Sequence, residues 1–238
     1  MNTSGEPNAD QPLSGKKSVL AILKPHRTVP HARWTAESRW ALSAQGVFVL
    51  CLGLIIFGLG DALIIQSHLG NAPWSVLAQG IANQTPLSIG AATFLIGGLV
   101  LLLWWPLKQR PGFGTLANIV LISAALQVGL YIFPVAPQIF LLQLLYVLLG
   151  IALVGAGTAL YITCGLGPGP RDGLMTSLHK LTGIRVGRVR LFIEICALIA
   201  GALLGGRVGL GTALFALLIG NSMAISLSVV NRTAGATK

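Results

Sequence analysis

Charge is what this sequence has least of. Only 9 % of its 238 residues are Asp, Glu, Lys or Arg, and 6 of those are acidic. A soluble domain carries about 25 % charged residues. This shortage, set beside a hydrophobic share of 54 %, excludes an ordinary soluble globular chain and points to an integral membrane protein. Cysteine is scarce too: Cys51, Cys164 and Cys196 show neither ligand nor disulfide spacing, lie in or beside apolar runs, and read as free buried thiols. His26, His31, His68 and His179 add no metal pattern, so neither metal nor cofactor is expected. There is no phosphate-binding glycine loop and no nucleophile elbow, and without a catalytic constellation no enzyme is expected.

What the sequence does have is long apolar runs. Crossing the roughly 30 Å hydrocarbon layer takes about 20 such residues, and six segments qualify: 44–66, 89–106, 114–134, 138–163, 187–205 and 210–230. Lipid offers backbone groups no hydrogen-bond partner, so the spans must be helices or a closed barrel. A barrel would show weak alternation instead of continuous runs.

The chain also repeats itself. GLGDALIIQSHLGNAPWSV from Gly58 lies without a gap over GAGTALYITCGLGPGPRDG from Gly155, an offset of 97 residues. The register persists from Gly53 with Gly150 through Thr85 with Thr182 to Gly112-Phe113-Gly114-Thr115 with Gly209-Leu210-Gly211-Thr212. A repeat kept in register over this length indicates a duplicated unit. The expected organisation is a basic N-terminal tail over 1–43, one membrane unit over 44–134, a second over 138–231, and a short tail over 232–238. The tail's early part reads as disordered, and its 33–43 stretch as a short interfacial helix with Trp34 and Trp40 at the headgroups.

Lys and Arg set the orientation. With the N-terminus in the cytoplasm, every short connection rich in them falls inside and only Arg207 falls outside, which predicts both termini cytoplasmic in a bacterial inner membrane. The same bias accounts for the net charge of +10 as anchoring beside anionic lipid, so no nucleic-acid partner is implied. Three spans per unit is an odd number, so the second unit is inverted relative to the first. Inverted repeats with matching interruptions mark a transporter's binding site.

Those interruptions follow the first and fourth spans. Ser75 and Asp172, each two residues after a proline, are expected to cap short helices over 76–84 and 173–181, either interfacial or re-entrant. Arg171, with the free amides of the glycine-rich turn, would attract an anion; the plainer reading makes Asp172 a cap and Arg171 one more cytoplasmic cation. Trp74, which matches Arg171, is either a stacking surface or an interfacial anchor. Two ionisable residues sit within spans, and both are candidate substrate- or ion-binding residues. Glu194 is either such a site or a structural pair with Arg190 one helical turn away, whereas Asp61 has no local partner and is the foremost candidate proton or cation site.

The segments LGNAPWSVLAQG and GLGPGPRDGLMTSLHKLTG, followed by VGRVRLFIEI and VGLGTALFALLIGN, resemble the YczE-like bacterial membrane proteins over about residues 46–230. The resemblance implies a permease-like membrane protein. By motif position it singles out Gly70, Pro73, Trp74, Gly167, Pro170, Arg171, Asp172 and Gly173. The expectation is therefore an all-α polytopic membrane protein, six helices in two inverted three-helix repeats, acting as a small secondary transporter of an unidentified small molecule. The alternative is a non-transporting scaffold or accessory subunit that binds another protein. Membrane lipid is a partner in both readings, and a homo-oligomer is left open.

Overall fold

A computed structural model describes residues 29–234. The tail's early part, expected to be disordered, lies outside the described residues, as do residues 235–238. Among the described residues eight helices follow one another and no strand forms. They are α1 (Ala44–Gln66), α2 (Pro73–Gln84), α3 (Ile89–Leu102), α4 (Phe113–Ile132), α5 (Phe140–Thr163), α6 (Pro170–Thr182), α7 (Val186–Leu203) and α8 (Leu210–Ala234).

The 97-residue offset carries over to the helices. α2, α3 and α4 begin at Pro73, Ile89 and Phe113, and α6, α7 and α8 begin 97 residues later at Pro170, Val186 and Leu210. The turns agree as well: φ is +115° at Gly70 and +116° at Gly167. Glycine is required there, since a Cβ at Gly70 would stand 2.5 Å from the Gly209 nitrogen in a backbone region L-residues rarely enter.

α1 and α5 cross at the centre through small residues. A Cβ at Gly53 would meet the Gly157 carbonyl at 2.9 Å, and one at Gly60 the Gly150 carbonyl at 2.8 Å. Rising numbers in α1 meet falling numbers in α5, so the two helices run antiparallel. Glycines permit such close approach, and with it the dispersion contacts that hold helices together where lipid removes the hydrophobic driving force. α4 completes the contact with α1, and α8 completes that with α5.

Each half then reaches into the other. Gly211 N–H donates to the Leu69 carbonyl at 2.8 Å, and Gly114 N–H donates to the Leu166 carbonyl at the same 2.8 Å. The turn after α1 is thus tied to the start of α8, and the turn after α5 to the start of α4.

The halves are not identical in packing. α2 packs closely on α7, where Gly201 lets the backbone of Val76 and Leu77 approach. At the matching place Trp104, 1 % exposed, occupies the position equivalent to Gly201 and fills the space between α3 and Gly173. Its indole N–H donates to the Pro170 carbonyl at 3.0 Å. α6 consequently stands farther from α3 than α2 does from α7, and α7 and α8 stand apart where α3 and α4 touch.

Of the six expected spans, four stand out by length and composition, and two other expectations need correction. Four helices (α1, α4, α5 and α8) are long and apolar enough to cross a membrane, and α2 with α3 makes a fifth candidate only as a pair bent by 117°. α3 has 14 residues, about 21 Å at 1.5 Å per residue, because the chain turns off at Leu103. α7 has the length, but Arg188, Arg190 and Glu194 lie along it. The 33–43 stretch is not a helix: it runs as an irregular strap in which Arg33 N–H donates to the Ala234 carbonyl at 3.0 Å and Ala36 N–H to the Cys164 carbonyl at 2.9 Å. The three thiols are free, but only Cys164 is buried; Cys51 is half-buried and Cys196 is exposed on the outer surface. That outer surface carries Leu102, Trp105, Phe192, Leu203 and Leu217 in the open, an apolar exterior suited to lipid.

Candidate functional site

α2 and α6, called half-helices below for their length, start earlier than the expected 76–84 and 173–181. The residues before them, Ala72 and Gly169, offer no side chain to the first turn, and proline opens both α2 and α6. Proline suits that position because its missing N–H needs no partner. Ser75 and Asp172 therefore lie inside the first turn, free to bond elsewhere.

Both do. Ser75 Oγ–H donates to Asp61 Oδ2 at 2.6 Å, and Tyr161 O–H donates to Asp172 Oδ2 at 2.6 Å. The α2 and α6 members, Ser75 and Asp172, are equivalent by the offset, but their partners sit three residues out of register, since Asp61 matches Thr158 and Tyr161 matches Ile64, and the chemistry is reversed. In the first half the carboxylate is on the central helix α1 and the hydroxyl on the half-helix. In the second the hydroxyl is on the central helix α5 and the carboxylate on the half-helix.

These pairs frame a cavity of about 190 Å³. Residues from the N-termini of both half-helices line it, with Asp61, Tyr161, Asn118 and Thr158 from the longer helices. A helix N-terminus leaves its first amides without intrahelical partners and carries partial positive charge, so two such ends flank one space. Phe57, Ile119, Val154, Phe215, Ile219 and Met223 supply an apolar wall.

The Arg171 guanidinium stands 4.7 Å from the centroid of the Trp74 ring. Residues 74 and 171 are separated by the repeat offset, so an equivalent pair touches itself, as happens where a two-fold relation has its axis. Cation–π attraction holds the guanidinium in place without occupying its N–H groups. Arg171 makes no ion pair or hydrogen bond among the described residues. Asp61 is 4 % exposed, and its Oδ1 also lacks a hydrogen-bond partner among the described residues.

The chain from residue 44 to 227 matches the model of a family of unknown function, DUF6198. It belongs to that family. Among relatives, an uncharacterised protein of Haemophilus influenzae is 45 % identical over 211 residues, 89 % of this chain and 96 % of the relative. The uncharacterised membrane protein YczE of Bacillus subtilis is 34 % identical over 177 residues, 74 % of this chain and 82 % of its own length. YyaS from the same organism is 28 % identical over 185 residues, covering 76 % and 92 %. The YczE-like resemblance holds, and the chain is a membrane protein. No solved structure matches it.

Of the residues the sequence singled out, Asp61, Pro73, Trp74, Pro170, Arg171, Asp172 and Glu194 meet at the cavity. Gly70, Gly167 and Gly173 do not line it: the first two shape the turns, and Gly173 gives room to Trp104. Glu194 pairs with Arg190 at 2.8 Å, the helical partner its spacing predicts. Sequence reasoning missed Tyr161, the hydroxyl that holds Asp172, and Trp104. It gave Ser75 the wrong task, although the offset that places Ser75 opposite Asp172 was the available signal.

Proposed function

We propose that this chain is a small secondary transporter of the bacterial inner membrane, built as two inverted units of three crossings with both termini cytoplasmic. In this reading α2 and α6 are re-entrant half-helices, and α3 and α7 cross with them. The observation that carries it is the convergence of two uncapped half-helix N-termini on one cavity that also holds Asp61 and the Arg171–Trp74 contact. The antiparallel α1–α5 crossing and the reciprocal turn bonds support inversion. Alternating access would then be a rocking of one unit against the other about the α1–α5 glycines, with Asp61 as the coupling site for a proton or cation.

Two measurements test it. Thermal unfolding of the purified chain against a panel of metabolites and ions should show a stabilising solute whose effect Arg171→Ala and Asp61→Asn abolish. Ligand at one hundred times its dissociation constant adds about 2.7 kcal/mol to the folded state. A parent unmoved by the whole panel favours the accessory-subunit reading. For topology, Thr85 and Thr182 are exposed equivalent positions. Cysteines placed there, with the native thiols replaced by serine, should react with an impermeant maleimide from opposite sides of the membrane. Labelling from one side refutes inversion.

A further inference from the structure

Of the charged residues lining this cavity, Asp172 is held by Tyr161 and Glu194 by Arg190, whereas Asp61 and Arg171 face the same space without a direct pair between them. Asp61 and Arg171 both line it, yet no ion pair within 4.0 Å joins them. Each is held by its own contact: Ser75 ties the Asp61 carboxylate to α2, and the Trp74 face holds the Arg171 guanidinium. What each leaves unused is specific. An ionised carboxylate offers acceptor sites on both oxygens, and Oδ1, in a residue 4 % exposed, has no partner among the described residues. A guanidinium has five N–H donors in a planar fork that matches a carboxylate, and the contact with the Trp74 ring uses none of them as a hydrogen bond to the described residues.

We infer that the cavity takes a small zwitterion of amino-acid type, its carboxylate on the Arg171 fork beside the α6 N-terminus and its ammonium on Asp61 Oδ1. This rests on reading the cavity as the ligand site. A plain anion would satisfy Arg171 but bring like charge towards Asp61, and a plain cation would meet the converse penalty. A quaternary ammonium has no N–H for Oδ1, so a protonated primary or secondary amine is the better complement. The size agrees, since 190 Å³ is below the roughly 300–1,000 Å³ of pockets for drug-sized molecules. The wall of Phe57, Val154, Phe215 and Ile219 leaves an apolar place for the rest of the molecule.

The test uses the full chain in detergent, titrated calorimetrically with the twenty proteinogenic amino acids, and with the N-acetyl and carboxamide derivatives of each that binds. At least one amino acid is expected to bind, and blocking either charged group is expected to weaken it tenfold or more. Asp61→Asn should weaken the free amino acid much more than its N-acetyl form, and Arg171→Gln should weaken it much more than its amide. The derivatives need no mutant, so a variant that fails to fold leaves the test intact. The assignment is overturned if no amino acid binds, or if either blocked form binds as tightly as the parent compound. Uptake into proteoliposomes separates the two readings. Binding without uptake refutes transport and leaves the ligand class standing, whereas Arg171-dependent uptake of a solute that is not zwitterionic refutes the ligand class alone.

Discussion

Gly157→Ala tests whether the α1–α5 crossing is as close as described. The new Cβ would stand 2.5 Å from the Gly53 carbonyl oxygen and 2.7 Å from the Phe57 nitrogen, both backbone atoms that cannot rotate aside. Ordinary contact begins at 3.4 Å, so the helices must part by about 0.9 Å at that point. Overpacking costs about 1–3 kcal/mol, and rigid backbone neighbours place this site towards the upper end. Alanine's better helix propensity returns up to about 1 kcal/mol. The net loss of about 2 kcal/mol corresponds to a fall in melting temperature of roughly 4–8 °C for a chain of this size. Gly60→Ala, with its Cβ 2.8 Å from the Gly150 carbonyl, should fall less. Gly98→Ala, with nothing within 4 Å, should be neutral or slightly stabilising. Thermal unfolding of the three variants in one detergent ranks them. If Gly157→Ala melts with Gly98→Ala, the close crossing is wrong.

Three further outcomes follow from other contacts. Gly173→Ala places a Cβ 2.0 Å from the Trp104 ring and should be clearly destabilising, yet nearly neutral in a Trp104→Ala background; a double-mutant cycle without coupling would contradict the packing described. Ser75→Ala removes the sole hydrogen-bond donor to the Asp61 carboxylate among the described residues and should cost about 1–3 kcal/mol, to be recovered in part by adding Asp61→Asn; additive losses would show that the bond matters little. His68, outside the spans, hydrogen-bonds the Arg207 guanidinium, and burial first and that charge second hold its pKa below 6.5. The unfolded chain therefore takes up the proton first as pH falls. Stability should be full above about pH 6.5 and decline below it, with His68→Asn, which tolerates the positive φ there, giving a flatter profile.

The repeat made most of the architecture legible. An offset found from Gly58 and Gly155 predicts where α2, α3 and α4 have their counterparts, because equivalent prolines and glycines break the chain at equivalent places. Hydropathy was a weaker guide. It could not show that residues 89–106 stop being helical at Leu102, since Leu103 and Trp104 are as apolar as what precedes them. Nor could it tell that Cys196 is exposed while Cys164 is buried, since both lie in or beside apolar runs. At the site, Asp61 stood out because burying a carboxylate in a span is costly. Tyr161 did not, since a tyrosine at a helix end has many ordinary uses, and its bond to Asp172 joins elements whose approach only the fold determines. Trp104 escaped for a related reason: its importance lies in being unlike Gly201, its counterpart.

The crossed bonds between the halves bear on how the chain is made. When residues up to about 134 have left the ribosome, the Leu69 carbonyl and the Gly114 amide still await Gly211 and Leu166, which have not been synthesised. A polar backbone group left unpartnered in a dry surrounding costs several kcal/mol, so the two bonds favour the halves assembling together over each closing by itself. Two fragments divided in the exposed connection at 134–139, each inserted separately, should persist in the membrane only when both are produced in the same cell.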